Sequence, residues 1–164
     1  MKRKLFSPAA MLVSGLVLGA VSRLMDIYTQ NLGNIFSQMA IWILLGTLIS
    51  IYSPSKGRAM LNVLLFCLGM IFTYYAAAML TEGVYGRQFI IGWTVFALFS
   101  PVFAYFARLA KNEGLFPKII GGGIVLFSVL SSILLFDRLR VYDFIIDGAL
   151  VYFLFVKKVE RVRD

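Results

Sequence analysis

The chain has 164 residues, 60% hydrophobic and only 15% charged, with 16 Lys and Arg against 8 Asp and Glu and a formal net charge of +8; its mean hydropathy is +0.87. A soluble domain carries roughly a quarter of its residues charged, so this composition excludes a water-solvated exterior, and a basic excess lying between apolar runs is not a nucleic-acid surface. With no His and one cysteine, Cys67, the chain lacks the material for a disulfide, a structural zinc site, His-ligated haem or Cys–His catalysis, and no cofactor or metal is expected.

Lipid offers the backbone no hydrogen-bond partners, so each apolar run must be a helix that satisfies itself. The first span, about 5–28, follows the basic start Lys2-Arg3-Lys4 and imitates a secretory leader. It stays apolar to Val21, and Leu18-Gly19-Ala20 lacks the small-x-small pattern of a cleavage site, so it reads as a span that is retained. The second is 35–52, ended by the turn-forming stretch Ser53-Pro54-Ser55-Lys56-Gly57-Arg58. The third is 59–80 and the fourth 89–110, with Pro101 as a kink in its second half. Pro117 suits the entry to the fifth, 118–136. The sixth has an uninterrupted apolar part only from Gly148 to Val156. Reaching the roughly 20 residues a bilayer needs puts its limits near 141–158 and carries Asp143 and Asp147 into the membrane. The expected fold is all-α: one polytopic transmembrane domain over 1–164, a six-helix bundle.

Charge sets an orientation. Lys2, Arg3, Lys4, Lys56, Arg58, Arg108, Lys111, Lys118, Lys157, Lys158, Arg161 and Arg163 fall on one side, against Arg23, Arg87, Arg138 and Arg140 on the other. The side with twelve is cytoplasmic, both termini face in, and the membrane is the cell's inner (plasma) membrane. The outer rim also holds Asp26, Glu82, Asp137, Asp143 and Asp147. Arg23 and Asp26 are spaced to share a helix face, as are Arg140 with Asp143 and Asp143 with Asp147.

Asp147 carries the functional expectation, because a carboxylate inside the bilayer boundary is costly unless paired or facing a wet cavity. Arg23, Arg140 or a bound ligand is its expected partner. Gln38, Tyr74, Tyr75 and Trp93 fall at similar depth and, with Arg23, Asp26, Arg140, Asp143 and Asp147, would line an outward-facing pocket. The inner half holds Ser14, Thr47, Ser50, Asn62 and Ser100 without an embedded charge, which disfavours an autonomous ion-coupled carrier. Ala10, Ser14, Gly15 and Gly19 form a small-residue stripe on the first span, for close packing in the bundle or against a partner subunit. No catalytic motif occurs: there is no H-E-x-x-H, G-x-S-x-G or phosphate loop.

On the six-span plan and the Ala10, Ser14, Gly15, Gly19 stripe, the chain resembles the substrate-binding subunits of energy-coupling-factor vitamin transporters, with Ser and Gly where that family is alanine-rich. The resemblance implies termini inside, an outward pocket and a partner docked on the first span. The pairs Tyr74-Tyr75, Gly92-Trp93, Ser100-Pro101 and Ala107-Arg108 are also similar to uncharacterised small bacterial membrane proteins. The expected role is a small-molecule-binding subunit of a transport system, embedded in lipid and energised by a partner. A regulatory or scaffold protein recognising a partner or lipid headgroups is the alternative, and an intramembrane enzyme the third.

Overall fold

Ser7 and Pro8 start the first helix: Pro8 takes the first helical position, where its missing N–H costs nothing, and Ser7 Oγ accepts from the Ala10 amide at 3.3 Å. The computed structural model describes residues 6–29, 35–36, 38–81, 86–136 and 139–159. Lys2, Arg3, Lys4, Glu82, Asp137, Arg138, Arg161 and Arg163 lie outside the described residues. Among the described residues the main helices are α1 (Pro8–Tyr28), α2 (Met39–Tyr52), α3 (Lys56–Leu80), α4 (Arg87–Leu109), α5 (Leu115–Phe136) and α6 (Val141–Val151), the last continued by a π turn at Tyr152–Val156. There is no strand among the described residues.

α1, α3, α4 and most of α5 are each long and apolar enough to cross a membrane. Their outward faces carry large apolar side chains such as Val17, Phe72, Phe89 and Leu134, all more than half exposed. Without lipid, such surfaces could not stay dissolved.

Several boundaries differ from those read in the sequence. α3 starts at Lys56, three residues early, because Ser55 caps it by accepting from the Arg58 amide, which draws Gly57 into the first turn. α5 starts at Leu115, behind the positive φ of Gly114, so Pro117 sits within the first turn. The second span is interrupted: Gln38 is extended, and α2 proper has only 14 residues, about 21 Å against a hydrocarbon core near 30 Å. Phe36's carbonyl, just before the break, accepts from Trp42 Nε1 at 2.8 Å. Non-helical backbone at this depth is tolerated where protein surrounds it, and Gln38 is fully buried.

The short α2 is the centre of the bundle. It packs against α3, α4, α5 and α6, and its neighbours divide the core into two. Trp42 and Ile49 face Met11, Val63, Phe66 and Met70, while Ala40 and Leu44 face Ile146, Leu150 and Leu154. A helix apolar on all sides is one buried on all sides.

α1 lies at the edge, packed mainly along α3. Gly15 and Gly19 press on the carbonyls of Phe66 and Met70, and Gly69 presses back on Leu12 O. Thr73 Oγ1 donates across the seam to Leu16 O at 2.7 Å.

At the opposite end of α4, Arg108 is only 3% exposed and donates from Nη1 to Ser53 O and from Nη2 to Pro54 O, stapling the α2–α3 turn. Lys111 Nζ donates to Leu154 O at 2.9 Å, beside the π turn. Both cations meet carbonyls where a helix ends and its acceptors lack intrahelical donors. Asn62 completes the staple, donating to Phe6 O and Ser53 Oγ at 2.9 Å each.

Candidate functional site

Eight of the nine residues read as a pocket fall into three groups. On α1 and α3, Tyr74 donates to Asp26 Oδ2 at 2.5 Å, with Tyr75 edge-on to Tyr74 at 5.3 Å. Arg23, on the same helix as Asp26, donates through Nε to Thr81 Oγ1 at 3.1 Å. The second group joins the break before α2 to the start of α6. Arg140 Nη1 donates to the Tyr142 hydroxyl, which lies 3.5 Å from Gln38 Nε2, and the Arg140 amide donates to Asp143 Oδ2 at 2.8 Å. Gln38 Oε1, Arg140 Nε and Asp143 Oδ1 are buried without a hydrogen-bond partner.

The third group is Asp147, half-buried, whose Oδ1 accepts from Ser128 Oγ of α5 at 2.6 Å. The expected guanidinium partners are engaged elsewhere, Arg23 with Thr81 and Arg140 with Tyr142. A hydroxyl one helix away takes that place. Trp93 stands apart from all three, half-buried against the first core and edge-on to Phe96 at 6.1 Å. In the small-residue stripe, Gly15 and Gly19 are buried against α3 and Ala10 is half-buried, whereas Ser14 is exposed on the other face. The seam at the two glycines is thus occupied by this chain's own third helix.

A cavity of about 260 Å³ lies elsewhere, enclosed by α2, α3, α4 and α5. None of the nine residues lines it. Its wall is mostly aromatic and aliphatic, with Trp42, Phe96 and Ile124 among its lining, and Thr47, Cys67 and Ser100 bring the polar atoms. Two glycines leave the room. A Cβ on Gly123 would meet nothing within 4 Å, and one on Gly46 would only touch Val63 Cγ1 at 3.7 Å. Pro101 adds to the local irregularity, since it cannot donate to the carbonyl of Ala97. Phe103, Phe106 and Phe127 line the cavity yet are 44%, 42% and 45% exposed, so its mouth is at these rings.

Sequence reasoning passed over these residues because each has an ordinary reading in isolation: Gly46 and Gly123 as packing, Ser100 as a polar residue in an apolar helix. The available signal was the coincidence of Gly121-Gly122-Gly123 with Pro101 on two successive helices. Which glycine faces the void depends on helix rotation: a Cβ on Gly121 would meet the Phe155 ring at 3.0 Å, one on Gly122 would meet nothing within 4 Å, and Gly123 lines the cavity.

Among the described residues no three His, Cys, Asp or Glu side chains gather to hold a metal. An apolar void of this size with a few polar atoms suits a small lipophilic molecule. The fold and the lipid-facing exterior define an all-α polytopic membrane protein. The chain belongs to a family of unknown function, DUF6518, whose profile matches residues 1–143, into the first turn of α6 but short of Asp147. No curated protein and no solved structure matches it.

Proposed function

We propose that this protein is a membrane-embedded binding protein for a small lipophilic molecule, held in the cavity between α2, α3, α4 and α5. The observation that carries the reading is the void itself. Protein interiors pack densely, with few voids larger than a water molecule, and an apolar cavity of about 150 Å³ already holds one benzene. A cavity of about 260 Å³ beside two glycines is a cost in dispersion energy that a bound molecule would offset.

This reading moves the site from the outer carboxylates to the membrane interior while keeping the expected class, a binding subunit. The likeness to energy-coupling-factor subunits extends it to transport with energy from a partner. Such a partner would have to dock elsewhere than on Gly15 and Gly19, for instance on the Ser14 face of α1. The charge distribution supports cytoplasmic termini in the plasma membrane.

The test is thermal unfolding of purified protein with apolar probes, in wild type and Gly123→Leu. A probe at 100 times its dissociation constant should raise stability by about 2.7 kcal/mol in wild type and do nothing in the filled variant. Equal stabilisation of both proteins would overturn the cavity as the site.

A further inference from the structure

Serine hydroxyls in a membrane helix normally turn back to the carbonyl one turn earlier, and this chain does so repeatedly. Ser22, Ser50 and Ser53 donate to Leu18 O, Gly46 O and Ile49 O at 2.7, 2.6 and 2.7 Å. Ser100 does not. It is 2% exposed, lines the cavity, and its Oγ makes no hydrogen bond. The Cys67 thiol approaches it, but not in hydrogen-bonding geometry. An unpaired buried hydroxyl is costly, and nearly all such groups in native proteins find a partner.

The mouth gives the second observation. Phe103 of α4 and Phe127 of α5 stack across the two helices with centroids 6.0 Å apart and planes 26° apart, each nearly half exposed. Ser100 is nine residues from Leu109 and thirteen from Arg87, about 14 Å and about 20 Å along the helix. At the mouth, Phe103 is six residues from Leu109 and Phe127 nine from Phe136, about 9 Å and about 14 Å along their helices, so the cavity opens within the span. The ester oxygens of a phospholipid stay near the interface, so an intact phospholipid cannot bring an oxygen to Ser100 while its headgroup remains in water. No Lys, Arg, Asp or Glu lines the cavity, so a charged headgroup has no partner there.

Resting on the binding reading above, we propose that the ligand is a neutral single-chain lipophile bearing one hydroxyl or carbonyl oxygen, which enters from the bilayer past Phe103 and Phe127 and accepts a hydrogen bond from Ser100 Oγ. Thr47 and the Cys67 thiol flank the oxygen's end, and the aromatic wall takes the chain.

The experiment measures dissociation constants for 1-octanol and n-octane in detergent-purified protein, expressed as mole fraction in the micelle. It compares wild type, Ser100→Ala, Gly123→Leu and Phe127→Ala. Wild type should bind octanol about five-fold more tightly than octane, the worth of one net hydrogen bond. Ser100→Ala should bring that ratio to one and leave octane unchanged. Gly123→Leu should lose both probes, and Phe127→Ala should speed association of both without changing the ratio. A wild-type ratio of one, or a ratio that survives in Ser100→Ala, overturns the Ser100 assignment while octane binding still supports the cavity. An unchanged association rate in Phe127→Ala overturns the lateral route. If neither probe shows binding that depends on Gly123, the binding reading fails with it.

Discussion

The Asp147 carboxylate accepts a hydrogen bond from Ser128 at 2.6 Å, tying α6 to α5. The same carboxylate is costly to place, because it lies on the second turn of a short membrane helix. A single hydroxyl offsets only part of that cost. Asp147→Asn keeps an acceptor for Ser128 and removes the charge, so it should be at least as stable as wild type in thermal unfolding. Ser128→Ala should cost about 1–3 kcal/mol by leaving the carboxylate unpaired. The same change in an Asp147→Leu background should cost clearly less, and equal losses in the two backgrounds would show that the bond contributes nothing.

Gly15 and Gly19 bring α1 against the α3 backbone, with no room for a side chain before Phe66 O and Met70 O. Alanine at either position should force the helices apart and lose the Thr73–Leu16 bond as well. Gly15→Ala and Gly19→Ala are each expected to cost about 2 kcal/mol or more, in the range of core overpacking. Gly122→Ala, where an added Cβ meets nothing within 4 Å, should instead be neutral or gain up to about 1 kcal/mol from helix propensity. Stability curves that do not separate the seam from the control would refute the close-contact account.

Which parts of this were legible in the sequence follows from what each part depends on. Six helices are legible because the bilayer demands long apolar runs, and α1 and α3 to α5 supply them. The break at Gln38 is not, since a lone Gln at the head of an apolar run has no local signature, and only burial by other helices makes the extended backbone tolerable. The Gly15–Gly19 stripe is legible as a close contact, but not its occupant, α3. Charge position in the sequence assigns the three groups to one side of the expected bundle. That they sit on different helix pairs is set by helix order in the bundle, which local pattern does not encode. Ser128 as the partner of Asp147, and the cavity, are interhelical facts of the same kind.

The Arg108 staple separates two roles of a basic residue. By position Arg108 reads as one of the cytoplasmic charges, yet it is buried and satisfies Ser53 O and Pro54 O. Arg108→Lys keeps the charge but cannot reach both carbonyls with a planar fork. We expect Arg108→Lys to leave orientation unchanged while lowering the unfolding temperature, and Arg108→Ala to cost about 2–4 kcal/mol. Unfolding curves for both that overlay wild type would contradict the staple.

The proposed orientation makes a separate prediction. In a Cys67→Ala background, a cysteine at Ser55 should react with a membrane-impermeant thiol reagent only after the cell is opened, and one at Gly86 in intact cells. These positions cap α3 and α4 at opposite ends of the bundle. Labelling of the Ser55 site in intact cells would invert the topology, whatever the fate of the cavity.

The last prediction concerns the buried polar group where α6 begins. Asp143 is fully buried and accepts from the Arg140 amide, in the first turn of α6, where a negative charge also meets the positive end of the helix. Arg140 reaches back to Tyr142, whose hydroxyl faces Gln38 beside the α2 break. Half a turn of the Gln38 amide would let its oxygen accept from that hydroxyl, making one directed chain from Arg140 through Tyr142 to Gln38. Such a chain would anchor the break in α2 to the start of α6, so its members should be energetically coupled. Tyr142→Phe and Gln38→Leu are each expected to destabilise, and the double variant should lose at least 0.5 kcal/mol less than their sum, roughly the threshold of coupling between residues in contact. Asp143→Ala, which removes the partner of the Arg140 amide, should cost about 1–3 kcal/mol, with Asp143→Asn recovering part of it. Strict additivity of Tyr142→Phe and Gln38→Leu in denaturation would mean that these two side chains do not communicate, and that the break in α2 is held by packing alone.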